Sequence, residues 1–168
     1  MSKAFALAGL RIGWIASRDK SIIDAVAAAR DYTTISVSQL DDQVASYALS
    51  EAVLPSLLKR NMELARINLG LLGGFVERYS RVCSWVRPTA GTTALIRFRR
   101  EGGEEGVDDG EFVVDVLEKT KVLVMPGGVC FGKGEDFKGT VRVGYVCHTE
   151  VLEEGLEKLG GYVEEYLL

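Results

Sequence analysis

The chain has 168 residues, 47% of them hydrophobic, enough for one domain with a sizeable core and short for two independent ones. Its formal net charge of -4 leaves no basic face for a phosphate backbone, so no nucleic-acid partner is expected. Three widely spaced cysteines, Cys83, Cys130 and Cys147, suggest neither a disulfide framework nor a C-x-x-C metal site, and read as reduced thiols of a cytoplasmic protein. Cys130 and Cys147 are expected in the core. No apolar run approaches the roughly 18 residues that span a bilayer, and Met1 is not followed by a signal-peptide pattern, so no membrane partner is expected either.

The first fourteen residues, Met1 to Trp14, set Lys3, Gly9, Arg11 and Gly13 at fixed spacing. An amine and a guanidinium in a glycine-loosened loop suit a ligand that carries both an electrophilic carbonyl and a phosphate, because lysine forms Schiff bases and the arginine fork matches phosphate oxygens. Taken singly, Lys3 reads as a solvated surface charge, and Arg11, flanked by Leu10 and Ile12, as the partner of a carboxylate at a strand edge. The joint pattern is what points to a site.

Gly13 to Ser17 reads as a short buried strand, ended by the charged turn Arg18-Asp19-Lys20. Asp19 or Ser21 then caps a helix carrying Ile22, Ile23, Val26 and Ala27 up to Arg30. Tyr32 to Ser38 is rich in β-branched residues and reads as an extended crossing segment. Helical periodicity returns at Gln39 with Leu40, Val44 and Ala48 on one face. It strengthens through Leu54, Leu58, Met62, Ala65, Leu69, Leu72 and Val76, a long amphipathic helix with Pro55 in its first turn and Gly70, Gly73 and Gly74 loosening its end.

Pro88 to Gly91 reads as a turn that feeds the strand Ala94 to Phe98, followed by a glycine-rich, acidic loop from Arg99 to Gly110. A helix over Asp109 to Lys121 comes next, then strands at Val122 to Met125 and Thr140 to Cys147 separated by the Pro126-Gly127-Gly128 turn. The last helix starts near Thr149 and aligns Leu152, Leu156, Leu159, Val163 and Leu167. This order argues for a mixed α/β layer with helices over a small sheet. In Val141-Arg142-Val143 the period of two puts Arg142 on the face opposite the valines, free to leave the apolar layer for a cleft, although such an arginine is most often simply solvent-facing. His148, the one histidine, reads as a capping or surface residue.

The pattern S-K-x-F-x-x-x-G-x-R-x-G-W, from Ser2 to Trp14, resembles the cofactor-lysine segment of class I/II, fold-type I aminotransferases. Pro126 to Gly132 followed by Val141-Arg-Val-Gly-Tyr145 is similar to that family's P-G-x-x-F-G and R-[IVL]-[SG]-[FY] motifs, with the first one residue longer here. Pro88-Thr-Ala-Gly91 resembles the P-x-G loop of its substrate cleft, with Thr93 or Ala94 where a bulky aromatic often stands. The resemblance implies pyridoxal 5'-phosphate (PLP) as cofactor, Lys3 as its Schiff-base lysine, Arg11 on its phosphate, Ser2 beside that phosphate, and Arg142 on the α-carboxylate of an amino acid or 2-oxo acid. It implies no metal.

The resemblance also implies the α/β fold of the C-terminal portion of a PLP transferase: residues 1–38 as the remainder of the large cofactor domain, and residues 39–168 as the interdomain helix plus a small α/β domain with helices packed on a short sheet. The family's pyridinium-binding Asp, its Tyr and Asn, and the aromatic that stacks on the ring lie ahead of the lysine. The chain alone is therefore expected not to be a competent transaminase. It acts either within a homodimer, or in association with a full-length relative or an upstream half, or it is a non-catalytic interaction module; Tyr32, Thr33 and Thr34 fall where relatives approach the neighbouring subunit.

Overall fold

Several helix starts fall where a side chain can accept a free backbone N–H. In the computed structural model, which describes residues 1–134 and 136–168, Asp19 caps α1 (Lys20–Arg30) and Ser38 caps α2 (Gln39–Ala48), each accepting an N–H of the first turn. Ser21 donates both its N–H and its hydroxyl to Asp19, and these bonds hold the Asp19 carboxyl below its usual range. A helical break over residues 49–53 precedes α3 (Leu54–Arg78), which carries Pro55 in its first turn.

The chain divides into two compact units, Met1–Met62 and Glu63–Leu168. In the first, Met1, Ala45 and Ala48 are buried, with Phe5, Leu7, Leu10, Ile12 and Leu57 packed against them. Three expectations change here. Gly13 to Ser17 is not a strand: among the described residues no strand falls in this unit, so no neighbour completes a ladder, and Trp14 is 62% exposed. Tyr32 to Ser38 is not extended, because the chain turns back through Ile35, whose N–H donates to Arg30 O while its own carbonyl accepts from Arg30 Nη2. On α2 the buried positions are Ala45 and Ala48, and Leu40 is 79% exposed.

The second unit is built on a four-stranded antiparallel sheet in the order β1 (Cys83–Trp85), β2 (Thr93–Phe98), β4 (Thr140–Gly144), β3 (Met125–Pro126). Leu95 lies opposite Arg142, which lies opposite Met125. Alternation sends Ala94, Ile96, Phe98, Val141 and Val143 to one face, where they join one cluster with Leu72, Phe75 and Val76 of α3, Phe112, Val113 and Val116 of α4 (Asp109–Thr120), and Leu152, Leu159 and Val163 of α6 (Thr149–Tyr166). Each fully buried aliphatic side chain contributes about 1.5–3 kcal/mol. This core keeps α3 helical to Arg78 despite Gly70, Gly73 and Gly74.

Further differences are local. The expected strand at Val122 shrinks to Met125–Pro126, and the expected turn at Gly127 is a short helix, α5 (Gly127–Cys130). Strand β1 has no alternation long enough to reveal it in sequence. Cys130 is exposed because α5 ends on it, Cys147 is half-buried, and Cys83 is buried. His148 is exposed at the start of α6 without a capping side-chain bond. No helix among the described residues is long and apolar enough to cross a membrane, and no cluster of metal-ligating side chains occurs among them.

Candidate active site

Lys3 sits on a loop whose backbone is fastened while its side chain is exposed. Ala6 N–H donates to Lys3 O at 2.9 Å, and Leu7 N–H donates to Met1 O at 3.1 Å. The Met1 nitrogen donates to Ile12 O at 2.9 Å, tying the two ends of the segment together. Asn61, buried on α3, donates its Nδ2 to Ala4 O at 2.9 Å and accepts from Arg60 Nε and Nη2 at Oδ1. Phe5 meets Trp14 edge-on at 6.2 Å. The carbonyls of Lys3 and Ala4 are thus both held.

Arg11 closes the same segment. A single 3-10 turn, Ala8–Leu10, ends in Arg11 with a left-handed backbone (φ 52°), and both its N–H and its Nη1 donate to Ala8 O. Ser2, Lys3 and Arg11 are all exposed, and among the described residues none of them joins an ion pair. A methyl group added at Gly9 or Gly13 would meet nothing within 4 Å, so the backbone is open to close approach there. An amine and a guanidinium on one fastened loop, neither neutralised by a carboxylate, suit a dianionic ligand with a carbonyl group.

Arg142 belongs to the second unit. It is half-buried on β4, on the sheet face opposite the core, between Leu95 of β2 and Met125 of β3. Its guanidinium lies over the ring of Phe131, 5.2 Å from the centroid, a contact that orients a planar fork without consuming its N–H donors. Tyr145, buried two residues past Val143, donates its hydroxyl to Gly91 O at 2.8 Å, and its N–H donates to Thr92 O, so the Pro88–Gly91 turn is tethered to the end of the arginine strand. Gly91 takes φ 96°, a conformation that favours glycine.

Three supporting residues were not singled out from the sequence. Asn68, fully buried, donates to Tyr145 O and Cys147 O and accepts from the Thr149 hydroxyl. Asn61 and Asn68 fall at the 3-4 spacing of Leu58, Asn61, Ala65, Asn68 and Leu72, one residue off the stripe through Met62, and the exposure of Met62 (60%) shows which face is inward. Polar side chains on an apolar seam were the available signal. Phe131 was visible only as part of a motif.

A small antiparallel sheet covered on one face by a long helix and two further helices, with an arginine on its other face, fits the C-terminal portion of a fold-type I PLP transferase expected from the sequence motifs. Comparison with known proteins agrees. The family profile "Aminotransferase class I and II" matches residues 1–159, and the chain belongs to that family. Capreomycidine synthase of Streptomyces vinaceus is 30% identical over 95% of the chain and 39% of its own length. A PLP-dependent aminotransferase of Streptococcus suis is 31% identical with a TM-score of 0.82, over 98% of this chain and 40% of its own. A PLP-dependent cyclase, OrfR, is 31% identical with a TM-score of 0.83, over 98% of this chain and 41% of its own. The chain therefore spans about two fifths of the length of these relatives. Pyridoxal 5'-phosphate is the cofactor that the family membership indicates.

Proposed function

We propose that this chain supplies the lysine and arginine side of a PLP site for amino-group transfer between an amino acid and a 2-oxo acid. The observation that carries the reading is Lys3 itself, whose carbonyl accepts from Ala6 N–H and whose neighbours Met1 and Ala4 are held by Leu7 and Asn61, while its side chain is exposed on the loop that also carries Arg11. The donor set fits the cofactor: an amine for its carbonyl carbon, and a guanidinium with open glycine backbone for its phosphate. Bound there, pyridoxal phosphate supplies an electron sink for charge that develops at the substrate α-carbon.

Lys3 Nζ would hold the cofactor at its carbonyl carbon and would serve as the base and acid for the substrate α-proton. Arg11 would hold the phosphate dianion, with Ser2 beside it. Arg142 takes the α-carboxylate as a bidentate pair, its N–H edge left free by the stacking on Phe131. Residues 1–38 act as part of the large cofactor domain, and residues 39–168 as interdomain helix and small domain. On this reading activity also needs an acid for the pyridinium nitrogen and an aromatic for the ring, groups that the resemblance places ahead of the cofactor lysine in the family.

The test is to add PLP to the chain, reduce with borohydride and locate the pyridoxyl group by mass spectrometry, alone and in the presence of the family's preceding region. A visible Schiff-base band with label on Lys3, lost in Lys3→Ala, is expected. Label spread over surface lysines in both mixtures sinks the reading. Because the relatives include a cyclase, the activity screen separates a 2-oxo acid product from a cyclised product that keeps its nitrogen.

A second reading rests on the exposed stripe Leu40, Val44 and Tyr47 of α2, at helical spacing. It is a non-catalytic module that keeps the fold and associates through such a surface, as a homodimer or with a full-length relative or an upstream half. Sedimentation of the native chain against Leu40→Asp separates the two.

A further inference from the structure

Asp109 is a buried carboxylate, 4% exposed, at the first position of α4, where Asp108 already provides the cap by accepting from Glu111 N–H. It forms no ion pair among the described residues. Instead Gly128 N–H donates to its Oδ2 at 2.8 Å and Gly139 N–H donates to its Oδ1 at 2.9 Å. Burying an ionised group is costly unless such charge-assisted bonds satisfy it, so a position of this kind calls for a reason.

The reason lies in the residues that each glycine leads to. Gly128 stands three residues before Phe131, and Gly139 stands three residues before Arg142. One carboxylate thus fastens the segment that carries the aromatic ring and the segment that carries the guanidinium lying on it. The fit is close at both ends. A Cβ at Gly128 would stand 2.8 Å from Asp109 Oδ1, and one at Gly139, where φ is 76°, would stand 2.6 Å from Gly106 Cα.

We infer that Asp109 is a positioning residue for the carboxylate clamp: by bridging Gly128 and Gly139 it sets Phe131 against Arg142 and so holds the guanidinium fork ready for a substrate carboxylate. The inference rests on Arg142 being that clamp, as proposed for the function. Asp109 touches no substrate, and its effect passes through Phe131 and Arg142.

The experiment uses the 15N-labelled 168-residue chain, titrated with pyruvate while the Arg142 Nε–H resonance is followed. Arg142→Ala assigns the resonance by its disappearance; the native chain is expected to saturate, and Asp109→Asn to weaken binding by about tenfold, as small misplacements of a positioned group do. Phe131→Leu is expected to weaken it similarly, and Asp109→Asn to add little in the Phe131→Leu background, since both act on one contact. A merely structural carboxylate would lower the melting temperature and leave the affinity of the folded chain unchanged. Unchanged affinity in Asp109→Asn, or full additivity in the double variant, overturns the role of Asp109 and leaves the clamp standing. No Arg142 response in the native chain overturns the clamp and Asp109's role with it. If Asp109→Asn does not fold, Gly128→Ala disturbs the same bond from the other side: a comparable loss supports the role and an unchanged affinity overturns it.

Discussion

The two compact units use their apolar residues in opposite ways. Residues 63–168 close a core on one face of a complete four-stranded sheet, with Phe98, Ile96, Val141 and Val163 inaccessible to solvent. Residues 1–62 bury Met1, Ala45 and Ala48 and leave Trp14, Ile15, Tyr32, Leu40 and Tyr47 largely exposed. The lysine loop is consequently held by backbone bonds and one asparagine, whereas the arginine strand is held by a packed sheet. A positioned amine does not need a large core beneath it. A few satisfied carbonyls are enough to fix its backbone.

The largest expected effect is in the second unit. Phe98→Ala empties a fully buried site and costs about 3–5 kcal/mol, measured by denaturant unfolding followed by tyrosine fluorescence. Next, Asn68→Ala leaves Tyr145 O, Cys147 O and the Thr149 hydroxyl without their partner and costs about 2–3 kcal/mol. Asn61→Ala, which frees Ala4 O and releases the exposed Arg60 guanidinium to solvent, costs about 1 kcal/mol and shows as faster hydrogen exchange at Ala6 and Leu7. Equal losses for the two asparagines would break the contrast between the units.

Alkaline pH acts on the second unit as well. Burial pushes the Cys83 thiol up from its ordinary 9.0 to about 12. Burial, aided by the hydrogen bond to Glu164, pushes the Tyr79 phenol from 10.0 to about 12. Both stay protonated in the folded chain after their unfolded counterparts have ionised. Their contribution is therefore full below about pH 9 and is lost as pH climbs towards 12. Cys83→Ala is expected to flatten that fall in a pH series of melting curves, and an unaltered slope would assign it elsewhere. The smallest effect belongs to the exposed stripe: Leu40→Ala changes stability by no more than about 0.5 kcal/mol. A loss as large as that of Phe98→Ala would mean that the stripe is buried in solution, and would favour the association reading.

Much of the second unit was legible. Long runs of period 3.6 announced α3, α4 and α6, and alternation announced β2 and β4 together with the face of Arg142. Short elements were not: three residues of β1 and four of α5 carry too little periodicity to register. The apparent strand at Gly13 failed because an apolar run becomes a strand only when a neighbouring chain accepts its hydrogen bonds. The expected stripe on α3 holds at Ala65, Leu69, Leu72 and Val76 and fails at Met62, where the neighbouring Asn61, polar by composition, takes the inward position through specific bonds.

The sequence by itself determined the family, the helices and the identity of the groups proposed for chemistry, Lys3, Arg11 and Arg142, because residue types at fixed spacing are local facts. Only the tertiary structure decided what supports them. Asn61 meets Ala4 across 57 positions, and Asp109 meets Gly128 and Gly139 across 19 and 30. No periodicity records such bonds, since a buried polar group finds its partner only after the apolar surfaces around it have packed and water has left.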